Sequence, residues 1–379
     1  MKLTSRADRR LAAVAALACC AILVPAVALA APAGQRTPER LAAAPARPAA
    51  TPSWKIVKTV RGGNNPAFTA VTATGRRTAW AFEATASAAR IETPGAWRLS
   101  GSRWTRALFP GTAGEEVTSA ASTSPDDVWA VVYNFYSSRT RVLSWDGRTW
   151  AVTRAFSGYP GEVVPLSPHD AWYFGSTSAW HYNARRWSRV PGAHGLADGS
   201  ALSPDSIWAI GSTDVAHWNG RAWSRTSLAG LLPTCREHLC EPGLSSIYAQ
   251  SPASVWAVGS GNRETIGGPV VLLHYNGHHW SRVALSSKAA NPVRPVIPDG
   301  TAGLWIATHG FEFRPSAMLH YSGGHLRFAA LPGIRDRVLF MTAVAAVPGV
   351  PRAIGVGETQ PNKGTIGLNL RGVILTYGA

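Results

Sequence analysis

The chain has 379 residues, of which 46% are apolar, and 37 Lys plus Arg against 21 Asp plus Glu give a net charge of +16. That apolar share excludes an intrinsically disordered chain, and a single long apolar run, at the N-terminus, excludes a bundle of membrane-spanning helices. The charge is carried by thirty-two Arg and only five Lys, and the Arg residues are scattered, so specific nucleic-acid binding is not expected.

Residues 1–30 read as a secretory signal peptide. Lys2, Arg6, Arg9 and Arg10 form a positive n-region, Leu11 to Ala30 is apolar, and Ala28-Leu29-Ala30 forms a small-residue cleavage site before Ala31. The run is long enough to be a retained anchor, and Cys19 and Cys20 raise the alternative of lipidation, but Pro25 and the Ala-x-Ala site favour cleavage. Residues 31–52 are mostly Ala, Pro, Arg and Thr, too little apolar surface to offset the entropy of ordering, and read as a flexible linker. Cleavage removes four bases and one acid, leaving +13 and no transmembrane segment. The expected product is secreted or cell-surface, and monomeric.

From residue 53 to residue 379 one phrase recurs. Trp80, Trp129, Trp172, Trp208, Trp256 and Trp305 each stand in a short β-branched or Ala-rich run, at steps of 49, 43, 36, 48 and 49 residues. A period of this length marks a propeller or solenoid. In the fifth copy, Leu244–Ala249 alternates and reads as a strand. Ser251-Pro252-Ala253-Ser254 follows as a turn, Val255–Gly259 as a second strand, Val270–Tyr275 as a third, and His279–Val283 as a fourth after the hairpin signal Asn276-Gly277. Four antiparallel strands per repeat make a propeller blade.

The chain ends supply the closure. The seventh copy has Ala353–Gly357 and Val373–Tyr377 as its second and third strands and then stops, whereas Ser53-Trp54-Lys55-Ile56-Val57 is a fourth strand with no first three. Joining them pairs the first strand with the last and removes two sheet edges that would otherwise be open. The fold class is therefore all-β: a seven-bladed β-propeller of four-stranded antiparallel blades, its ring closed by pairing the N-terminal strand into the last blade.

The first-to-second and third-to-fourth turns are short and share one rim. The second-to-third loops and the blade links share the other face and vary in length, which is where a rigid scaffold usually carries its binding residues. Long loops are expected at Asn134 to Thr140, Ser260 to Pro269, Thr308 to Ser316 and Glu358 to Arg371. Candidate binding residues there are Phe135, Tyr136 and Arg139; Arg263 and Glu264; His309, Phe311, Glu312 and Arg314; and Glu358, Gln360, Asn362 and Lys363. Aromatic rings with Arg stack on sugars or clasp anions. Cys235 and Cys240, on the same face, read in an exported protein as a disulfide stapling one loop; a metal site there would have only His238 to add. His181, His217, His274 and His320 occupy one position in four blades, spread around the ring, and read as structural rather than metal-binding. No Gly-x-Ser-x-Gly, His-Glu-x-x-His or phosphate loop occurs, and neither a metal nor a cofactor is implied.

Val255–Gly259, Leu273-His274-Tyr275 and Trp280-Ser281 resemble kelch-type repeats, with one Gly in place of a pair and a shorter Tyr-to-Trp turn. Ser144–Trp150 resembles the Asp-box of sialidase-like propellers but is one residue short. The mature chain thus resembles the secreted bacterial β-propeller superfamily, with kelch-like, Asp-box-like or WD40-like repeats, and no specific member. The function expected is non-catalytic binding of a glycan, an acidic cell-wall polymer or a protein through the long-loop face. The alternative is a carbohydrate-active enzyme, a glycoside hydrolase or lyase of sialidase-like kind, with its site over the central channel. A buried Asp/Glu pair or three converging Arg there would favour the enzyme; a broad aromatic or basic surface would favour binding.

Overall fold

The computed structural model describes residues 52–62, 64–86, 91–175, 177–234, 241–262, 268–285, 292, 295–308, 310, 314–365 and 367–378. They form seven four-stranded antiparallel sheets. The chain starts on β1 (Trp54–Val60). Blade 1 is β2 (Ala67–Gly75), β3 (Thr78–Ala84), β4 (Gly95–Ser100) and β5 (Arg103–Ala107). Blade 2 is β6 (Glu115–Ser124), β7 (Asp127–Asn134), β8 (Arg139–Trp145) and β9 (Trp150–Ser157). Blade 3 is β10 (Glu162–Ser167), β11 (Asp170–Phe174), β12 (Ala179–Tyr182) and β13 (Trp187–Arg189), and blade 4 is β14 (Asp198–Ser203), β15 (Ser206–Ile210), β16 (Asp214–Trp218) and β17 (Trp223–Ser227). Blade 5 is β18 (Gly243–Ser251), β19 (Ser254–Ser260), β20 (Val270–Tyr275) and β21 (Trp280–Arg282), and blade 6 is β22 (Ile297–Pro298), β23 (Leu304–Ala307), β24 (Met318–Ser322) and β25 (His325–Ala329). Blade 7 is β26 (Arg337–Ala346), β27 (Ala353–Pro361) and β28 (Arg371–Tyr377), completed by β1, which pairs with β28 from Trp54↔Tyr377 to Val60↔Gly372.

The recurring Trp has a repeated task. The second-strand Trp of one blade packs edge-on to the Trp or Tyr that ends the third strand or opens the fourth strand of the next. Trp80 meets Trp150 at 5.3 Å, Trp129 meets Trp187 at 5.9 Å, and Trp172 meets Trp223 at 5.6 Å. Trp208 meets Trp280 at 6.1 Å, Trp256 meets Tyr321 at 5.2 Å, and Trp305 meets Trp54 at 5.8 Å. Such edge-to-face pairs add to the free energy of burying large rings. The Trp is thus the wedge between sheets, and the spacing of the phrase is the spacing of the blades. At the interface between blades 7 and 1 the wedge is missing. Ile354, opposite Thr376, stands where Trp256 stands opposite His274, and Leu99, opposite Trp104, stands where Tyr275 stands opposite Trp280.

Each of the four His residues is satisfied inside its own blade. His181, His217, His274 and His320 pair across the sheet with Trp172, Trp208, Trp256 and Trp305 and stack on them at 4.8, 4.1, 3.9 and 4.2 Å. Their Nε2 atoms bond Asp170 (2.8 Å), Ser206 (3.3 Å), Ser254 (3.1 Å) and Asp299 (2.7 Å).

The third-to-fourth turns of blades 2 to 5 close on an Asx side chain. Oδ1 of Asn276 accepts the backbone N–H groups of His278 (3.1 Å) and His279 (3.0 Å), and Asp146 and Asn219 do the same. Only the residue after the Asx needs positive φ, and Gly147, Gly220 and Gly277 supply it at 93°, 87° and 92°.

A second set of ties joins adjacent blades, most of them through the inner strands. Thr69 Oγ1 donates to the Val117 carbonyl (2.7 Å), Ser119 donates to Glu162, and Asp198 accepts the Ile247 N–H (2.9 Å). Ser246 accepts from Val296 N–H (2.9 Å), Ser316 accepts from Met341 N–H (2.8 Å), and Thr342 donates to the Phe68 carbonyl (2.5 Å). Six of the seven blade interfaces therefore carry such a bond among the described residues, five of them between inner strands or the residues adjoining them, inside a ring whose outer layers are held by Trp.

Candidate functional site

The inner strands surround a central cavity of about 530 Å³ lined largely by small and hydroxyl-bearing residues, among them Thr69, Thr118, Ser119, Ser200 and Thr342. At its long-loop end the inner strands of three blades begin with acids: Glu115 and Glu116 in β6, Glu162 in β10 and Asp198 in β14. Glu358 of β27 joins this end from blade 7. The same end carries bases too: Arg141 pairs with Glu115, and the inner strand of blade 7 opens with Arg337, which feels the charges of Arg371 and Arg61.

The five acids are not equivalent. Glu115 is neutralised by Arg141, whose guanidinium donates to it at 2.6 Å, and it accepts the Thr112 N–H at 2.7 Å. Glu162 and Asp198 are engaged in the inter-blade ties. Burial pushes the Glu116 carboxyl up to about 7. Burial likewise pushes Glu358 up to about 7, the charge of Glu116 adding to the shift, and its buried Oε2 has no hydrogen-bond partner. Two carboxyls that hold protons near neutral pH thus lie close enough to feel each other.

Beside them lies an aromatic shelf. Tyr133 is in register with Glu116 across β6 and β7, so the two side chains leave the same face of the blade. Tyr133 is buried, and Phe135 stands edge-on to it at 4.9 Å while Tyr159 stacks near-parallel at 6.0 Å. Phe135, Tyr136 and Tyr159 are 46%, 61% and 73% exposed, and they are three of the four exposed aromatic side chains among the described residues. The shelf is braced: Asn134 Oδ1 accepts the N–H groups of Tyr136 (3.0 Å) and Ser137 (2.9 Å), and the Tyr136 hydroxyl accepts the Ile91 N–H (2.9 Å). Gly158 N–H donates to the Ser138 carbonyl (2.9 Å), tying the Tyr159 segment to the hairpin.

Of the sequence candidates, Phe135 and Tyr136 come together here. Arg139 opens β8 in the same hairpin and is exposed. Arg314 is exposed on the blade 6 connection. Arg263, Glu264, His309, Phe311 and Glu312, with Cys235 and Cys240, lie outside the described residues. Two loop expectations are corrected. The blade 2 connection is a four-residue turn, 135–138, because β7 and β8 run on through Asn134 and Arg139. Glu358 and Gln360 belong to β27, where the ladder with β26 continues to Arg337↔Pro361. Glu116 and Tyr159 were missed; the doubled Glu115-Glu116 opening an otherwise small-residue strand was the available signal for the first. Tyr159 had none, since its link shows no pattern.

This geometry defines the class: a closed seven-bladed β-propeller with an acidic channel mouth and an aromatic shelf on its long-loop face. No protein-family profile matches the sequence, and no curated protein does. Among solved structures, the chain is similar to YCF48 bound to D1 peptide (TM-score 0.54, 12% identity, 86% of this chain and 97% of that one). It is also similar to the RRP9 WD40 repeats (TM-score 0.55, 11% identity, 86% and 97%) and to the Niastella koreensis GH74 enzyme (TM-score 0.52, 12% identity, 83% of this chain and 54% of that one). At these identities the likeness is one of fold.

Proposed function

We propose that this propeller is an exported glycan-binding protein that takes its ligand on the long-loop face, without catalysis, on the shelf formed by Phe135, Tyr136 and Tyr159. The observation that carries the reading is the pair of exposed rings Phe135 and Tyr159, both packed on Tyr133, with the exposed and braced Tyr136 next in the chain, beside a channel mouth rich in carboxyl groups. Rings present flat apolar faces to the C–H face of a pyranose, and carboxyl oxygens accept from its hydroxyls. Export is supported by the signal-like residues 1–30.

The test is a glycan array at low and physiological salt with the wild-type protein and Tyr159→Ala. Binding to one sugar class that persists at physiological salt and drops in the variant is expected. Binding that spreads over all polyanions and fades with salt would refute a shelf site.

The carbohydrate-active alternative has the Glu116 and Glu358 carboxyl pair at the channel mouth in its favour. Glu358 has one carboxyl oxygen fully covered and holds a proton near neutral pH, as a general acid must. If a bound glycan is cleaved, Glu358→Gln should abolish turnover while leaving binding in place.

A further inference from the structure

At one blade interface the repeat leaves out its own filling. Between blades 7 and 1, Ile354, Thr376 and Leu99 stand where blades 4 and 5 place Trp, His and Tyr at their common interface. Space opens there: a pocket of about 520 Å³ on the short-turn rim, walled by Leu99, Trp104, Ile354 and Tyr377. That is the size of a small-molecule site, and its walls are largely apolar.

The mouth of the pocket is cationic. Arg76 and Arg77 come from the β2–β3 turn and Arg352 from the β26–β27 turn, all three are exposed, and no carboxylate is among the lining residues. None of the three guanidinium groups has an ion-pair partner among the described residues. The Thr376 hydroxyl, which also lines the pocket, is buried with no hydrogen-bond partner. Three guanidinium groups with no carboxylate among the lining residues leave the mouth net positive, and an unpaired buried hydroxyl costs free energy. A single oxyanion at the mouth would neutralise that charge, with an apolar body behind it against the walls, since guanidinium forks bind oxyanions by charge-assisted hydrogen bonds.

We propose that this pocket is a binding site for a small amphipathic anion: one oxyanion headgroup held by Arg76, Arg77 and Arg352, with its apolar body against Leu99, Trp104 and Ile354. The site lies on the rim opposite the aromatic shelf and is independent of it.

The probe is 8-anilinonaphthalene-1-sulfonate, with N-phenyl-1-naphthylamine as its neutral counterpart, read by fluorescence titration of the purified protein at fixed salt. Saturable one-to-one binding of the sulfonate is expected, with the neutral probe and the R76Q/R77Q/R352Q variant each weaker by roughly tenfold or more. The I354W/T376H variant, which restores the repeat and fills the pocket, is expected to lose binding, and Tyr159→Ala to keep it. Undiminished sulfonate binding by the folded triple variant or by the filled variant would overturn the proposal, as would equal affinity for the neutral probe. The Arg substitutions lie on exposed turns, so the triple variant remains informative if the filled one does not fold.

Discussion

Trp54, in the first strand of the chain, stands edge-on to Trp305 of blade 6 with ring centroids 5.8 Å apart, while Tyr377, two residues from the end of the chain, packs on both rings. The two ends of the chain therefore build one wedge. Trp54→Ala should lower stability by about 3–5 kcal/mol, the usual cost of removing a buried Trp. Deleting Ser53 to Thr59 should be more severe, since it also exposes the ladder edge of β28. Thermal unfolding checks both; a folded monomeric deletion with unchanged melting would show that the ring closes another way.

Glu116 and Glu358 set a pH dependence with a definite sign. Their folded values, about 7, lie above the ordinary 4.5, so the folded state binds their protons more tightly than the unfolded chain does. The stability they contribute is fully present below about pH 4.5 and is lost as pH rises through 7. His217 and His274, lowered by burial, act in the opposite sense: their contribution is present above 6.5 and is lost on acidification. Comparing the E116Q/E358Q variant with wild type isolates the carboxyls. The variant should gain stability relative to wild type between pH 5 and 8, and a difference that stays flat across that range would refute the assignment.

The shelf separates binding from folding. Tyr159 is exposed, so Tyr159→Ala should leave the melting temperature nearly unchanged while weakening glycan binding about five- to a hundredfold. Tyr133, buried beneath it, should lose both on substitution by Ala. Isothermal titration alongside melting curves distinguishes the two.

The inner ties should be individually measurable. Ser246 is buried, and its hydroxyl accepts the Val296 N–H across the interface between blades 5 and 6. Ser246→Ala leaves that N–H unpaired and should cost about 1–3 kcal/mol. Denaturant unfolding that shifts by less than a few tenths of that would mean water replaces the lost partner.

The proposed pairing of Cys235 with Cys240 is tested chemically. Both thiols should resist alkylation in the native protein and react after reduction; labelling without reduction would refute the disulfide.

The ring itself was legible in the chain. Trp256 with His274, Asn276-Gly277 and Trp280 write out one blade, because the hairpin turns, the alternation and the wedge are all local or nearest-neighbour demands repeated at a fixed period. Even closure was legible, since a strand lacking three partners at Trp54 and three strands lacking a fourth at Tyr377 complement each other. The site was less so. Phe135 and Tyr136 were marked by composition alone, but Tyr159 joins them from a patternless link, and Glu116 meets Glu358 from a blade 242 residues away in the chain. The burial that raises both carboxyls, and the pocket left where Ile354 and Leu99 fail to fill a Trp-sized space, arise from surfaces brought together only when the ring closes. A repeat dictates its architecture through contacts between neighbouring copies; what departs from the repeat acquires its surroundings, and so its chemistry, from the tertiary structure.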